Sequence, residues 1–137
     1  RTHKMTPVVC IGERQRDEEG AYLSFLAEEI SAVCEVCEEA DFKKLIIAYE
    51  PIWAIGADEA MDGEEMHGIG IFIRKTIAEI VDREAARRVR VVYGGSVDGD
   101  NIRDILGRGE ADGVLAGRSS RDPDEWKKMC AGADEMS

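Results

Sequence analysis

Apolar and polar positions alternate between two rhythms along this chain. Four short apolar segments, residues 8–11, 45–48, 89–93 and 114–116, are rich in β-branched side chains. Runs this short and continuous predict strands buried on both faces, as in a parallel sheet. Each is followed by Gly, Pro or acidic residues and then by a stretch of helical period. Residues 18–40 place Tyr22, Leu23, Leu26, Ile30, Val33 and Cys37 at steps of three and four, one apolar stripe on a helix. Asp17, Glu18 and Glu19 stand where the positive end of that helix dipole would lie. A second stripe runs through Met66, Ile69, Ile73, Ile77 and Ile80, with Asp62 and Glu65 spaced as a capping box at its start. Gly68 and Gly70 weaken its first turns, at about 1 kcal/mol each relative to alanine. Shorter helices are expected near residues 100–106 and from Asp122-Pro123-Asp124-Glu125, where Asp caps and Pro takes the first helical position. The pattern is four successive βα units with right-handed crossovers and no linker, so residues 1–137 read as one α/β domain. Four such units make half of an eight-unit barrel or a small open sheet, and periodicity does not separate these.

Composition narrows the partners. The chain is 44% hydrophobic and 34% charged, with a net charge of −11. That excess of acid argues against a general basic field for nucleic acid. A small phosphate is still compatible, because backbone N–H groups hold one locally. No apolar run nears the roughly 18 residues of a membrane span. The chain opens on Arg1 without a signal sequence, and we expect a further segment upstream. Cys34 and Cys37 have C-x-x-C spacing, but a zinc site needs a second ligand pair, and His3 and His67 lie far apart. We read them as a small apolar helix face in a reduced, cytoplasmic protein, with neither metal nor cofactor.

Candidate chemistry clusters after the strands. Glu50, in Ala48-Tyr49-Glu50-Pro51-Ile52-Trp53-Ala54-Ile55-Gly56, ends a predicted buried strand, where a carboxylate is costly without a partner or a task. It is a candidate general base beside a lid, or an ordinary strand-end carboxylate; Pro51 stiffens the exit either way. Tyr93-Gly94-Gly95-Ser96-Val97 follows the third strand, and two glycines there let the backbone approach a ligand closely. Gly117 and Arg118, in Asp112-Gly113-Val114-Leu115-Ala116-Gly117-Arg118-Ser119, occupy a strand-to-helix junction suited to a phosphate.

Together with Cys10-Ile11-Gly12-Glu13 and Asn101, these segments, in this order and spacing, resemble the triosephosphate isomerase family from about Val8 to Ser120. The resemblance implies the C-terminal half of a TIM (β/α)8 barrel, strands five to eight, within a protein of about 250 residues. It assigns Glu50 as the base that moves a proton between adjacent carbons of dihydroxyacetone phosphate and glyceraldehyde 3-phosphate. It makes Gly56, Ser96, Gly117 and Arg118 the phosphate-binding positions. Pro51, Ile52, Trp53, Ala54, Ile55 and Ala57 then belong to a mobile lid, which Tyr93 and Ser96 latch. There are three departures from the family pattern: Ala57-Asp58-Glu59 replaces Thr-Gly-Lys, Arg118 replaces a second glycine, and Gly70 replaces a frequent histidine. The family's electrophilic lysine and histidine come from strands one and four, which these residues do not supply. Isomerase activity of the chain alone is therefore not expected, and the full-length protein is expected to be a homodimer. Two other readings are a non-catalytic half-barrel that self-associates and another phosphate-binding barrel enzyme.

Overall fold

The computed structural model describes residues 5–17, 19–55 and 61–136. Strands β1 (Val8–Ile11), β2 (Ile46–Tyr49) and β3 (Arg90–Tyr93) form one parallel sheet in the order β1-β2-β3. Val8 pairs with Ile46 and Ile11 with Tyr49; on the other side Ile46 pairs with Arg90 and Tyr49 with Tyr93. The helices are α1 (Ala21–Val36), α2 (Gly63–Ile80), α3 (Arg83–Arg88), α4 (Ile102–Leu106) and α5 (Pro123–Asp134). Short 3₁₀ turns occupy Glu39–Asp41, Ile52–Ala54 and Arg118–Arg121.

The fourth expected strand does not develop. Val114 makes a single parallel bridge with Tyr93. Around it Tyr93 N donates to Gly113 O at 3.1 Å and Leu115 N donates to Tyr93 O at 2.7 Å. The segment is three residues between Gly113 and Gly117, with Leu115 exposed and nothing described on its outer side to complete a ladder. Burial on both faces holds for β2 and fails for β1. In β2, Ile47, Ala48 and Tyr49 are all fully buried. In β1, Val8 and Cys10 share one face by the two-residue period and both are exposed.

The core lies between the other face of the sheet and the helices. Ile11, Ile47, Tyr49, Val91 and Tyr93 meet Leu26 and Ile30 of α1 and Met66, Ile69, Ile73 and Ile77 of α2. Burying side chains of this size contributes about 1.5–3 kcal/mol each. Ile80 falls off the stripe and is exposed. Asp62 Oδ1 accepts from Glu65 N at 2.9 Å, while Glu65 Oε2 accepts from Asp62 N at 3.2 Å, completing the capping box.

Helix α1 is shorter than its apolar pattern. Asp17 caps it, accepting from Ala21 N at 2.8 Å and Tyr22 N at 3.1 Å, and Gly20 enters with φ 79°. Glu18 lies outside the described residues. The helix stops at Val36 because Cys37 is extended and Glu38 and Asp41 form their own capping box around the next turn. Cys34, not Cys37, completes the buried stripe. Burial is the main cause pushing both thiols up, so they behave as apolar packing groups. Helix α3, capped by Asp82 accepting from Ala85 N at 2.7 Å, has no counterpart in the periodic pattern because it is only six residues long. In α5, Asp122 accepts from Asp124 N at 2.9 Å, and buried Gly132 lets Ile102 of α4 come close.

Candidate active site

The C-terminal ends of the strands continue their ladder by one residue. Glu50 N donates to Ile11 O at 2.7 Å and Gly94 N donates to Tyr49 O at 2.8 Å. Glu50 is thereby held between the ends of β1 and β3, half-buried. Two glycines make room for it. A Cβ on Gly12 would collide with the Glu50 carbonyl, and one on Gly94 would lie 2.5 Å from Glu50 Cγ and 2.9 Å from Oε1. The Cys10 thiol donates to Glu50 Oε1 at 3.6 Å. Burial, followed by the charge of Glu50 and this hydrogen bond, raises the thiol's pKa.

Beside Glu50 lies a cavity of about 190 Å³ lined by Ile55, Gly94, Gly95, Ser96, Gly117 and Arg118, with Val97 and Ser119. Its walls are fixed from behind. Ser119 Oγ donates to Val97 O at 2.6 Å, and Asn101 Nδ2 donates to Ser96 O at 3.0 Å. The structure thus brings Ser96, Gly117 and Arg118 together, although they come from two loops more than twenty residues apart in sequence. Gly117 and Arg118 are exposed at its rim. Larger openings lie elsewhere; one of about 450 Å³ sits among Met5, Pro7, Val36 and Lys44, at the opposite end of the strands.

After Glu50 the chain turns through Ile52–Ala54. Pro51 and Ala54 are buried, whereas Ile52 and Ile55 are exposed. Gly56, Ala57, Asp58 and Glu59 lie outside the described residues. Tyr93 is fully buried. Burial pushes its hydroxyl up, opposed by the backbone amides of Met61 and Ser96 that face it, though neither completes a hydrogen bond. Gly95 is needed there because a Cβ would run into that hydroxyl.

This geometry is accompanied by a match to known proteins. Residues 1–133 match the triosephosphate isomerase family. The triosephosphate isomerase of Dictyoglomus turgidum is 35% identical over 125 residues, covering 90% of this chain and 50% of that protein. The chain belongs to the triosephosphate isomerase family. It spans about half the length of the curated relative it matches. In this family member Gly70 is buried within α2, and among the described residues no helix is long and apolar enough to cross a membrane. Among those residues no three His, Cys, Asp or Glu side chains stand close enough to hold a metal ion.

The structure of this triosephosphate isomerase family chain also gives a place to Glu13, which ends the Cys10-Ile11-Gly12-Glu13 motif but carried no assigned role. Glu13, 1% exposed, receives Tyr49 Oη at 2.8 and 3.0 Å, Trp53 Nε1 at 2.8 Å and Arg16 Nε at 3.1 Å. A buried carboxylate with four such contacts is compensated for lost water. Its position two residues past β1 was the available signal, since Glu50 stands in nearly the same place after β2. Arg16 had only Glu13 nearby in sequence, and its other polar partners, Tyr49 and Glu65, are brought to it by the fold. Burial alone would lower its pKa; the Tyr49 hydroxyl and the Glu13 carboxylate outweigh that and raise it.

Proposed function

We propose that this chain supplies the base and the phosphate loops of a triosephosphate isomerase that interconverts dihydroxyacetone phosphate and glyceraldehyde 3-phosphate. Residues 1–137 are then the last four βα units of a (β/α)8 barrel. The observation that carries this is the double use of Gly94: Glu50 packs on it, and it lines the cavity holding Ser96, Gly117 and Arg118. A substrate with its phosphate in that cavity has its carbon chain directed at Glu50. Catalytic groups gather at the C-terminal ends of barrel strands, with phosphate bound by the loops after the last two, and these loops hold those places.

Glu50 acts as general base, taking a proton from one carbon and returning it to the next. Backbone N–H groups of Ser96 and Gly117, with the Arg118 guanidinium at the rim, hold the phosphate. Residues 51–55 and Tyr93 flank the site and help to exclude water from the carboxylate. The group that polarises the substrate carbonyl lies outside these residues, so the chain alone does not turn over. The complete protein is a cytoplasmic homodimer in this proposal.

The test fuses this chain behind the N-terminal half of the Dictyoglomus turgidum relative and measures triose phosphate interconversion. Turnover by the chimera, none by the chain alone, and a loss of about 10³-fold on Glu50→Gln are expected. A folded chimera indifferent to Glu50→Gln would remove the base assignment. A non-catalytic, self-associating half-barrel draws on the exposed Val8 and Leu115 at the two sides of the sheet. A sharp monomer boundary in sedimentation, with cooperative melting, counts against it.

A further inference from the structure

Arg16 leaves the loop after β1 and ends in a position that no strand or helix pattern explains. Its side chain is 22% exposed, and each of its guanidinium nitrogens has a different partner. Nε donates to Glu13 Oε1 at 3.1 Å, Nη2 to Tyr49 Oη at 3.1 Å and Nη1 to Glu65 Oε1 at 2.8 Å. The ring centroids of Tyr22 and Trp53 each lie 5.1 Å from the guanidinium carbon, within cation–π range. Trp53 therefore touches Arg16 twice over, by its ring and through the Glu13 oxygen that accepts from both Arg16 Nε and Trp53 Nε1.

Glu65 is the second element of this arrangement. One of its carboxylate oxygens receives Arg16, and the other receives Asp62 N in the capping box that opens α2. Trp53 stands in the turn before α2 and Glu65 in the first turn of α2, and Arg16 meets both. We propose that Arg16 is a positioning residue of the Glu50 site, coupling the turn at Ile52–Ala54 to the first turn of α2 by gripping Trp53 and Glu65 at once. This rests on Glu50 as the base only for its catalytic consequence; the coupling is a property of the fold. Only a planar fork meets three acceptors while its faces stack on rings, so lysine carries the charge without the coupling.

The test is a double-mutant cycle read on Trp53. The chain has two tryptophans, and Trp126→Phe leaves Trp53 as the sole reporter. Glu65→Gln keeps a side chain able to complete the capping box while removing the charge that Arg16 meets. Acrylamide quenching of Trp53 is expected to rise about twofold in Glu65→Gln and in Arg16→Met, with the double variant no higher than Arg16→Met, as for residues that act as one unit. Arg16→Lys is expected to resemble Arg16→Met. Unchanged Trp53 quenching in Glu65→Gln, or effects that multiply in the double variant, would overturn the coupling. Melting of each variant identifies loss of folding, and should Arg16→Met unfold, Glu65→Gln against Arg16→Lys completes the cycle. In the active chimera both single variants are expected to lower kcat about tenfold with KM within about twofold, and unchanged kcat would overturn the positioning role. A chimera indifferent to Glu50→Gln removes the base and leaves the quenching cycle standing.

Discussion

Removing the Glu13 carboxylate separates the contribution of its charge from that of its shape. Oε1 accepts Trp53 Nε1 at 2.8 Å, Tyr49 Oη at 2.8 Å and Arg16 Nε at 3.1 Å, whereas Oε2 accepts Tyr49 Oη alone, at 3.0 Å. In Glu13→Gln the amide oxygen takes the Oε1 place and keeps both nitrogen donors. The amide nitrogen falls where Oε2 was and donates to the Tyr49 oxygen. What is lost is charge assistance, a cost of about 1–2 kcal/mol, limited because Arg16 keeps Glu65 and some access to water. Glu13→Ala instead leaves the Tyr49 O–H and the Trp53 N–H without their acceptor and opens a void, while the Tyr49 oxygen still accepts from Arg16 Nη2. At about 1–3 kcal/mol for each unsatisfied group, this amounts to about 3–5 kcal/mol, the range for breaking a buried charged pair. Urea unfolding followed by far-ultraviolet circular dichroism, with the slope held constant across variants, measures both. An alanine variant within about 1 kcal/mol of the parent, or a glutamine variant as damaging as alanine, would refute this description of the Glu13 site.

Three further outcomes follow from the same geometry. Gly94→Ala drives a Cβ into Glu50 Cγ, so chimera turnover should fall about 100-fold while stability falls only about 1–3 kcal/mol; parental turnover would contradict the close approach. Glu50→Gln removes the charge that helps to raise the Cys10 pKa, so more thiolate is present at pH 8. Iodoacetamide should then label Cys10 about threefold faster, measured by peptide mass mapping, and a slower rate would reverse the sign of the effect. Asp112 Oδ2 accepts Val91 N at 2.7 Å and Arg74 Nη2 at 2.6 Å, tying the segment after α4 to β3 and α2. The Arg74 pair is partly exposed and contributes little, so Asp112→Ala should cost about 1–2 kcal/mol, mostly from the Val91 amide, as read by the shift in urea midpoint.

Local rules made much of this fold legible in the sequence. The stripe from Met66 to Ile77, its Asp62–Glu65 box and the Asp122-Pro123 start are short-range features, and the structure reproduces them. The same rules overran where local chemistry competed: Glu38 and Asp41 end α1 early, and Gly113 and Gly117 leave Val114 with one bridge. Glu50 was visible because a strand-end carboxylate is conspicuous. Ser96, Gly117 and Arg118 were each ambiguous as loop residues, and only the fold shows that they share a cavity. Arg16 was invisible for the opposite reason: beyond neighbouring Glu13, its polar partners Tyr49 and Glu65 come from β2 and α2, and no spacing along the chain encodes their meeting.

Glu50 and the phosphate cavity are proposed to serve one substrate, and proton exchange tests this most directly. Dihydroxyacetone phosphate incubated in D₂O with the chimera should take up deuterium at the carbon beside its carbonyl, seen as loss of that proton resonance. Glu50→Gln should abolish the exchange while binding, followed by ³¹P line width, persists. Exchange at the parental rate in Glu50→Gln, with binding intact, would contradict the role given to Glu50.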